Sequence, residues 1–353
     1  MKTEYITVDP LNIDSRVIER AGGIVKRGGL VAFPTETVYG LGGNALDADA
    51  SRKIYAAKGR PSDNPLIVHI ADMEHLSPIV TEIPDGAVRL ADRFWPGPLT
   101  MIFPKREIVP EATSGGLPTV AVRMPSHPVA AALIRASGGY IAAPSANASG
   151  RPSPTEARHV REDLDGRIDL ILDGGPVEIG LESTIVDFTE PVPVILRPGY
   201  INRRDLEGVL GEVRLDPGIT DAGALEGVRP KAPGMRYRHY APKAELTVVD
   251  GPEDRVVRRI LELSEEAASR GQNVGVMACG ETLPLYEGRG FVVRQIGDRT
   301  DEESIARHLF SVLREFDHLD VQVIFSESFD TPRLGMAIMN RLLKAAGHRV
   351  EEA

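Results

Sequence analysis

Leu30-Val-Ala-Phe33, running directly into Pro34-Thr-Glu-Thr-Val-Tyr-Gly-Leu-Gly-Gly43, is the stretch on which the fold class turns. Before it, Asn12 and Asp14 supply caps for a helix through Lys26 with Ile13, Val17, Ile18, Ala21 and Val25 along one stripe, and Gly28-Gly29 ends that helix. The short apolar run at 30–33 then reads as a buried strand, so the segment is helix, glycine stop, strand and polar turn in the order of an α/β unit. A Pro-Thr-Glu-Thr turn at the C-terminal end of a strand puts hydroxyls and backbone amides where open α/β sheets bind ligands. The glycines that follow let backbone approach a ligand closely. An ordinary polar turn has the same composition, so the motif alone leaves both readings open.

Outward from this unit the alternation continues. Helices are expected at 49–57, 86–94, 128–137, 155–165 and 202–210. Strands are expected at 66–70, 99–103, 119–123, 140–143, 168–173, 184–188 and 192–197. Residues 212–244 break the rhythm. They are rich in Gly and Pro, include Ala232-Pro-Gly-Met-Arg-Tyr-Arg-His-Tyr-Ala-Pro242, and read as a linker whose aromatic and basic content suits a functional loop. A second run begins at Glu245, with strands at 245–249, 274–278, 291–295 and 321–325 and helices near 254–270, 302–316 and 332–346. Such alternation implies a parallel sheet covered on both faces. The boundaries expected are therefore 1–211, a linker at 212–244, and 245–353.

Composition agrees with two globular domains. The chain has 353 residues, against roughly 150 per domain, with 42% hydrophobic and 26% charged residues. The single cysteine, Cys279, rules out an intrachain disulfide framework and a thiolate metal cluster, and suits a reducing, cytoplasmic setting. The N-terminus lacks an apolar signal segment, and no run approaches the ~20 apolar residues of a membrane span. A net charge of −10 and only 5% aromatics argue against bulk binding of nucleic acid. Any anion site must then be a local gathering of Lys and Arg.

Candidates for such a gathering lie at element ends. Lys58-Gly-Arg60 sits at a helix end before Pro61-Ser-Asp-Asn-Pro65. The two cations either cap the helix or, two apart in extended chain, clamp a polyphosphate from one side. Arg123 ends the strand Thr119-Val-Ala-Val, Ser145-Ala-Asn147 follows Ile141-Ala-Ala-Pro144, Glu182-Ser-Thr184 precedes a strand and Arg197 closes one. Each residue alone is more often structural. Together, Thr35, Thr37, Lys58, Arg60, Arg123, Ser145, Asn147, Ser183 and Arg197 converge from strand ends as the groups of an α/β ligand cleft do. The sequence has no GxxxxGK[ST] loop, no HExxH and no nucleophile elbow, and His69 and His239 are lone histidines. The pattern suits a site that positions substrates and neutralises charge.

Pro34-Thr-Glu-Thr-Val-Tyr-Gly40, Lys58-Gly-Arg60, Asn64-Pro-Leu66, Ser145-Ala-Asn147, Glu182-Ser-Thr-Ile185 and Leu196-Arg-Pro-Gly199 resemble the threonylcarbamoyl-AMP synthase family. The segment at 233–242 is similar to the linker of that family's long, two-domain form. The linker there usually opens with Ser where this chain has Ala232. Pattern and resemblance give the expected fold: an N-terminal twisted open α/β sheet domain with a deep cleft, plus a smaller Rossmann-like parallel α/β domain. The resemblance implies conversion of L-threonine, bicarbonate and ATP to threonylcarbamoyl-adenylate and pyrophosphate. It implies Mg2+ with the ATP, a linker folding over the site, and handover of the product to a tRNA threonylcarbamoyl-transfer complex. It further implies that Thr37, His69, Arg123, Ala143 and Ser183 hold threonine. Arg60, Asn64, Thr119, Ser145, Ser153, Arg197 and Tyr237 would hold ATP, with Lys58 and Arg60 catalytic. An RNA-binding module using the same basic cleft is the competing class, and net charge weighs against it. A carbamoyl transferase of protein maturation is a third, and the lone cysteine weighs against that.

Overall fold

The computed structural model describes residues 2–219, 230–233 and 240–353. The chain divides into two compact units, one formed by Met1–Ser149, Ser153–Glu178 and Glu182–Arg236, the other by Gly150–Pro152, Ile179–Leu181 and Tyr237–Ala353.

In the first unit the elements are β1 (Glu4–Thr7), α1 (Ser15–Lys26), β2 (Val31–Phe33), β3 (Gly40–Asn44), α2 (Ala48–Lys58), β4 (Ile67–His69), α3 (Asp85–Phe94), β5 (Leu99–Pro104) and α4 (Glu111–Ser114). They continue with β6 (Thr119–Arg123), α5 (Pro128–Ala136), β7 (Ile141–Ala142), α6 (Ala157–Leu164), β8 (Leu170–Asp173), β9 (Thr184–Asp187), β10 (Val194–Arg197), α7 (Arg203–Leu210) and β11 (Arg214–Leu215). The strands form one sheet in the order β1-β8-β2-β3-β7-β4-β6-β5-β9-β10-β11. It is mixed: β3 runs antiparallel to β2 and β7, β4 parallel to β6, and β5 antiparallel to β6 but parallel to β9.

Alternate side chains of each strand leave opposite faces, which sets what covers each face. Val68, Met101, Phe103, Val120, Val122 and Val186 enter the main core with Ile54 of α2, Leu90 of α3, Val160 of α6 and Leu206 of α7. On the opposite face α1 and α5 pack over β1, β8, β2 and β7 through Ile18, Val25, Val129, Leu133, Phe33 and Ile141. Among the described helices, that cover goes no further. On the next strands the same face carries Ile67, Ile102, Ala121, Ile185 and Leu196, closed over by Ala232 and not by a helix.

Strand β3 was not expected, because Gly-Leu-Gly-Gly-Asn has turn composition. Packing explains it. A Cβ on Gly42 would stand 2.8 Å from Ile141 Cγ2 and 2.9 Å from Phe33 Cε1. Glycine is required there by ring and methyl neighbours that arrive only with the fold.

The second unit holds β12 (Glu245–Asp250), α8 (Glu253–Ser269), β13 (Val274–Cys279), α9 (Leu283–Tyr286), β14 (Val292–Gly297), α10 (Glu302–Asp317), β15 (Val323–Glu327), α11 (Gly335–Ala346) and β16 (Val350–Glu352). Its five strands are ordered β14-β13-β15-β12-β16 and every pair is parallel. The four strands expected from the sequence are present; α9 and the edge strand β16 are additions. Glu327, buried at the end of β15, accepts from Thr282 (2.5 Å), Tyr286 (3.0 Å) and Arg299 (2.8 Å), so its charge is satisfied inside the unit.

Two helix glycines make opposite predictions. Alanine favours a helix over glycine by about 1 kcal/mol. At Gly22 of α1, however, a Cβ would meet the Ala136 carbonyl oxygen at 2.6 Å, a backbone atom that cannot rotate away. Gly208 of α7 has no neighbour within 4 Å of that position. Gly208→Ala is expected to raise unfolding free energy by roughly 0.5–1 kcal/mol, and Gly22→Ala to lower it by about 1–2 kcal/mol, in urea unfolding curves.

Candidate active site

The helix-free face of β4, β6, β5, β9 and β10 carries most of the polar candidates. Ladder register sets them side by side. His69 pairs across the ladder with Arg123, and Arg123 with Thr100 on its other side. Thr100 and Ser183 hydroxyls lie 2.8 Å apart, and Arg197 donates from Nη2 to Ser183 Oγ (3.1 Å) and from Nε to the Ser183 carbonyl (3.0 Å). Arg197 also reaches the Pro233 carbonyl from Nη1 (3.3 Å), and Lys231 Nζ lies 3.1 Å from Asp187 Oδ2, so residues 230–233 lie on this face. The turn after β2 closes the other side. Thr35 and Thr37 hydroxyls share a hydrogen bond (2.9 Å), and buried Glu36 accepts from Arg123 Nη2 at 2.7 Å. Thr37, His69, Arg123, Ala143 and Ser183 are all buried.

A second group lies toward the other end of the same strands. The chain leaves β7 antiparallel to β4, with the Ala143 N–H donating to the Ile67 carbonyl (2.9 Å), and this carries Ser145 and Asn147 toward the N-terminal end of β4. There Lys58 Nζ donates to the Ser145 carbonyl, to the Asn147 carbonyl (2.5 Å) and to Asn147 Oδ1 (3.2 Å). Ser145 Oγ also donates to Asn147 Oδ1 (2.6 Å). Arg60 donates to the carbonyls of Asn64 (3.3 Å) and Pro65 (3.2 Å), and Asn64 is buried. Thr119 begins β6, on the same face as Arg123 and about 13 Å from it along the strand. Ser153 Oγ donates to Glu182 Oε1 (2.6 Å), linking the loop after Asn147 to the residue before Ser183.

One expectation needs correction. Lys58 and Arg60 do not stand two apart in extended chain. Lys58 is the last residue of α2, and Gly59 caps it in the left-handed region at φ 62. The helical twist and that cap send Lys58 to the 145–147 loop and Arg60 to the 64–65 turn. Tyr237 and His239 lie outside the described residues. Sequence reasoning gave no role to Glu36 or Thr100. Thr100 carried a signal, a hydroxyl inside the apolar run Leu99–Phe103; Glu36 carried none beyond its place in the turn.

Burial and the Arg123 charge push the His69 pKa down to about 3. Its Nδ1 lies 3.1 Å from the Ile67 carbonyl, an oxygen that can only accept. Burial likewise lowers the pKa of His127. His69 should therefore stay neutral in a histidine NMR titration down to about pH 3, where an ordinary histidine charges near 6.5. Because the folded value lies below the unfolded one, its stabilisation is complete above about pH 6.5 and is lost as pH falls toward 3.

Buried arginines and hydroxyls on the open face of a mixed α/β sheet, beside a Pro-Thr-Glu-Thr turn, define an α/β protein built to seat an anionic ligand. The comparisons narrow this class. The family model described as "Telomere recombination" matches residues 23–199, and that described as "Threonylcarbamoyl-AMP synthase, C-terminal domain" matches 201–347. The chain is 51% identical to the threonylcarbamoyl-AMP synthase of Pyrococcus abyssi over 344 residues, 96% of this chain and 98% of that one. It is 48% identical to the Bacillus subtilis counterpart over 354 residues, 99% of each. The crystal structure of P. abyssi Sua5 complexed with L-threonine matches with a TM-score of 0.92 and 50% identity, over 99% of this chain and 100% of that chain. The chain belongs to the threonylcarbamoyl-AMP synthase family, in its two-domain form, and is an enzyme of the adenylate-forming nucleotidyltransferase type.

Proposed function

We propose that the protein makes L-threonylcarbamoyl-AMP from L-threonine, bicarbonate and ATP, releasing pyrophosphate. The observation that carries this reading is the helix-free sheet face on which His69, Arg123, Thr100, Ser183 and Arg197 are linked, with Lys58, Ser145, Asn147, Arg60 and Asn64 grouped beyond the N-terminal end of β4. One such group on the sheet and a second at the strand end suit two substrates that must meet. Arg123, beside neutral His69 and the Thr35–Thr37 hydroxyls, seats the amino-acid carboxylate; Ala143 and Ser183 complete that end. Arg60, Asn64, Thr119, Ser145, Ser153 and Arg197, with Tyr237 beyond the described residues, hold the nucleotide.

In the reaction the neutral threonine amine condenses with bicarbonate, forming an N–C bond and releasing water that carries away an amine proton and a bicarbonate oxygen, to give a carbamate. A carbamate oxygen then bonds to the α-phosphorus of ATP, and pyrophosphate leaves with the broken P–O pair. Negative charge concentrates as the two anions approach, and fixed cations in a buried site stabilise that stage. Lys58 acts here by holding the Ser145–Asn147 loop against α2 as well as by its charge. Residues 230–233 of the linker lie on this face, and exclusion of water protects the carbamate and the mixed anhydride.

Magnesium enters with the nucleotide. Among the described residues no group of three or more His, Cys, Asp or Glu side chains is arranged to hold an ion, and the nearby carboxylates Glu36 and Glu182 are bonded to Arg123 and Ser153. Magnesium bound by substrate phosphates, with few protein ligands, is the usual arrangement for this ion. No helix among the described residues is long and apolar enough to cross a membrane. We place the enzyme in the cytoplasm, with its product passed to a tRNA threonylcarbamoyl-transfer complex.

The test is pyrophosphate release by purified protein given ATP, magnesium and bicarbonate, with and without threonine. Release is expected only with threonine; equal release in its absence, or none at all, refutes the reading. Arg60→Ala should lower kcat/KM for ATP by about 10²-fold, the scale for loss of one preorganised electrostatic donor. Arg123→Ala should instead act chiefly on the KM for threonine. Both variants are to be checked for folding by circular dichroism.

A further inference from the structure

We propose that Glu36 is a positioning residue for substrate recognition: it aims the Arg123 guanidinium at the carboxylate of the bound amino acid. This rests on the reading that Arg123 seats threonine.

Arg123 and Glu36 are both about 4% exposed, and their side chains form an ion pair. Glu36 uses its two oxygens differently. Oε1 accepts from Arg123 Nη2 at 2.7 Å, while Oε2 accepts the backbone N–H of Ser126 at 3.2 Å. The carboxylate is therefore held at two points, between the turn after β2 and the segment linking β6 to α5, and cannot swing without losing a bond. Through it the plane of the guanidinium is set. A guanidinium is a rigid fork of five donors, so fixing one amino group fixes the direction of the others.

What remains of Arg123 points to a ligand. Among the described residues its Nε is buried and has no hydrogen-bond partner. A buried cationic N–H without an acceptor is costly unless another group supplies one. An amino-acid carboxylate has the charge and the oxygen pair to do so, alongside the Nη2 bond that Glu36 keeps. His69, Arg123's cross-strand neighbour, adds no competing charge because it stays neutral.

Glu36 also places a negative charge beside an anion's seat, so a geometric and a purely electrostatic role predict opposite results on removing it. Threonine and ATP binding are measured by calorimetry on the full chain, with thermal melts for each variant. Wild-type protein should bind threonine. Glu36→Ala, which frees the guanidinium, should weaken threonine binding tenfold or more and leave ATP binding within about twofold. Glu36→Gln keeps an acceptor for Arg123 and should recover most of the lost affinity. Glu36→Asp, too short to span Arg123 and the Ser126 N–H, should weaken threonine at least fivefold, and it decides the matter should the alanine variant fail to fold. Threonine affinity unchanged or increased in Glu36→Ala or Glu36→Asp overturns the assignment, as does Glu36→Gln binding no better than Glu36→Ala. Parallel loss of threonine and ATP overturns it too, because a loosened fold weakens both. Wild-type protein that binds no threonine overturns this assignment and the parent reading together; wild-type binding with an unaffected alanine variant overturns this assignment alone.

Discussion

Strands β4 and β6 are buried on both faces, and their period-two alternation divides the work. Val68, Val120 and Val122 go to the helix-covered core, while Ile67, His69, Ala121 and Arg123 go to the face that α1 and α5 leave uncovered. A register slip of one residue would put Arg123 among the leucines of the core and a valine on the open face. The site thus depends on strand register before it depends on any single charged group. The pairing of Ile67 with Ala121 and of His69 with Arg123 is what holds that register.

The buried charges of the site are tolerable because each has a fixed partner. Arg197 is bound by Ser183, Arg123 by Glu36, and Lys58 by the carbonyls of the loop it holds. Buried ions without such partners lose several kcal/mol of hydration. The same low-dielectric setting keeps His69 neutral and lets a few cations act strongly on an incoming anion. The partners that make burial possible are therefore the groups that orient the site.

Much of this was legible in the chain. Alternating apolar runs and polar ends located most of the longer strands and helices, since burial on both faces leaves short Val/Ile/Ala/Leu stretches bounded by capping residues. The convergence of Arg123, Ser183 and Arg197 followed from their common place at strand ends. Other features were not legible: the short elements β1, α4, β11, α9 and β16 were not expected, and three further details needed the fold. Strand β3 reads as a turn until Phe33 and Ile141 occupy the space beside Gly42. Lys58 and Arg60 read as a joint clamp until a left-handed Gly59 separates them. Glu36 reads as one polar residue among three in the turn, because nothing local reveals that Arg123, 87 residues away, will lie against it.

Local chemistry alone determined the α/β class, the two-part organisation and the residue types able to meet anions: hydrophobic period, caps and glycine stops act over a few residues and are written in order along the chain. Which side of the sheet stays free of helices, which carboxylate aims which guanidinium, and which carbonyls a lysine holds were decided only in three dimensions. Those outcomes depend on contacts between segments far apart in the chain, and their energies exist only after strand register and helix packing have brought the segments together.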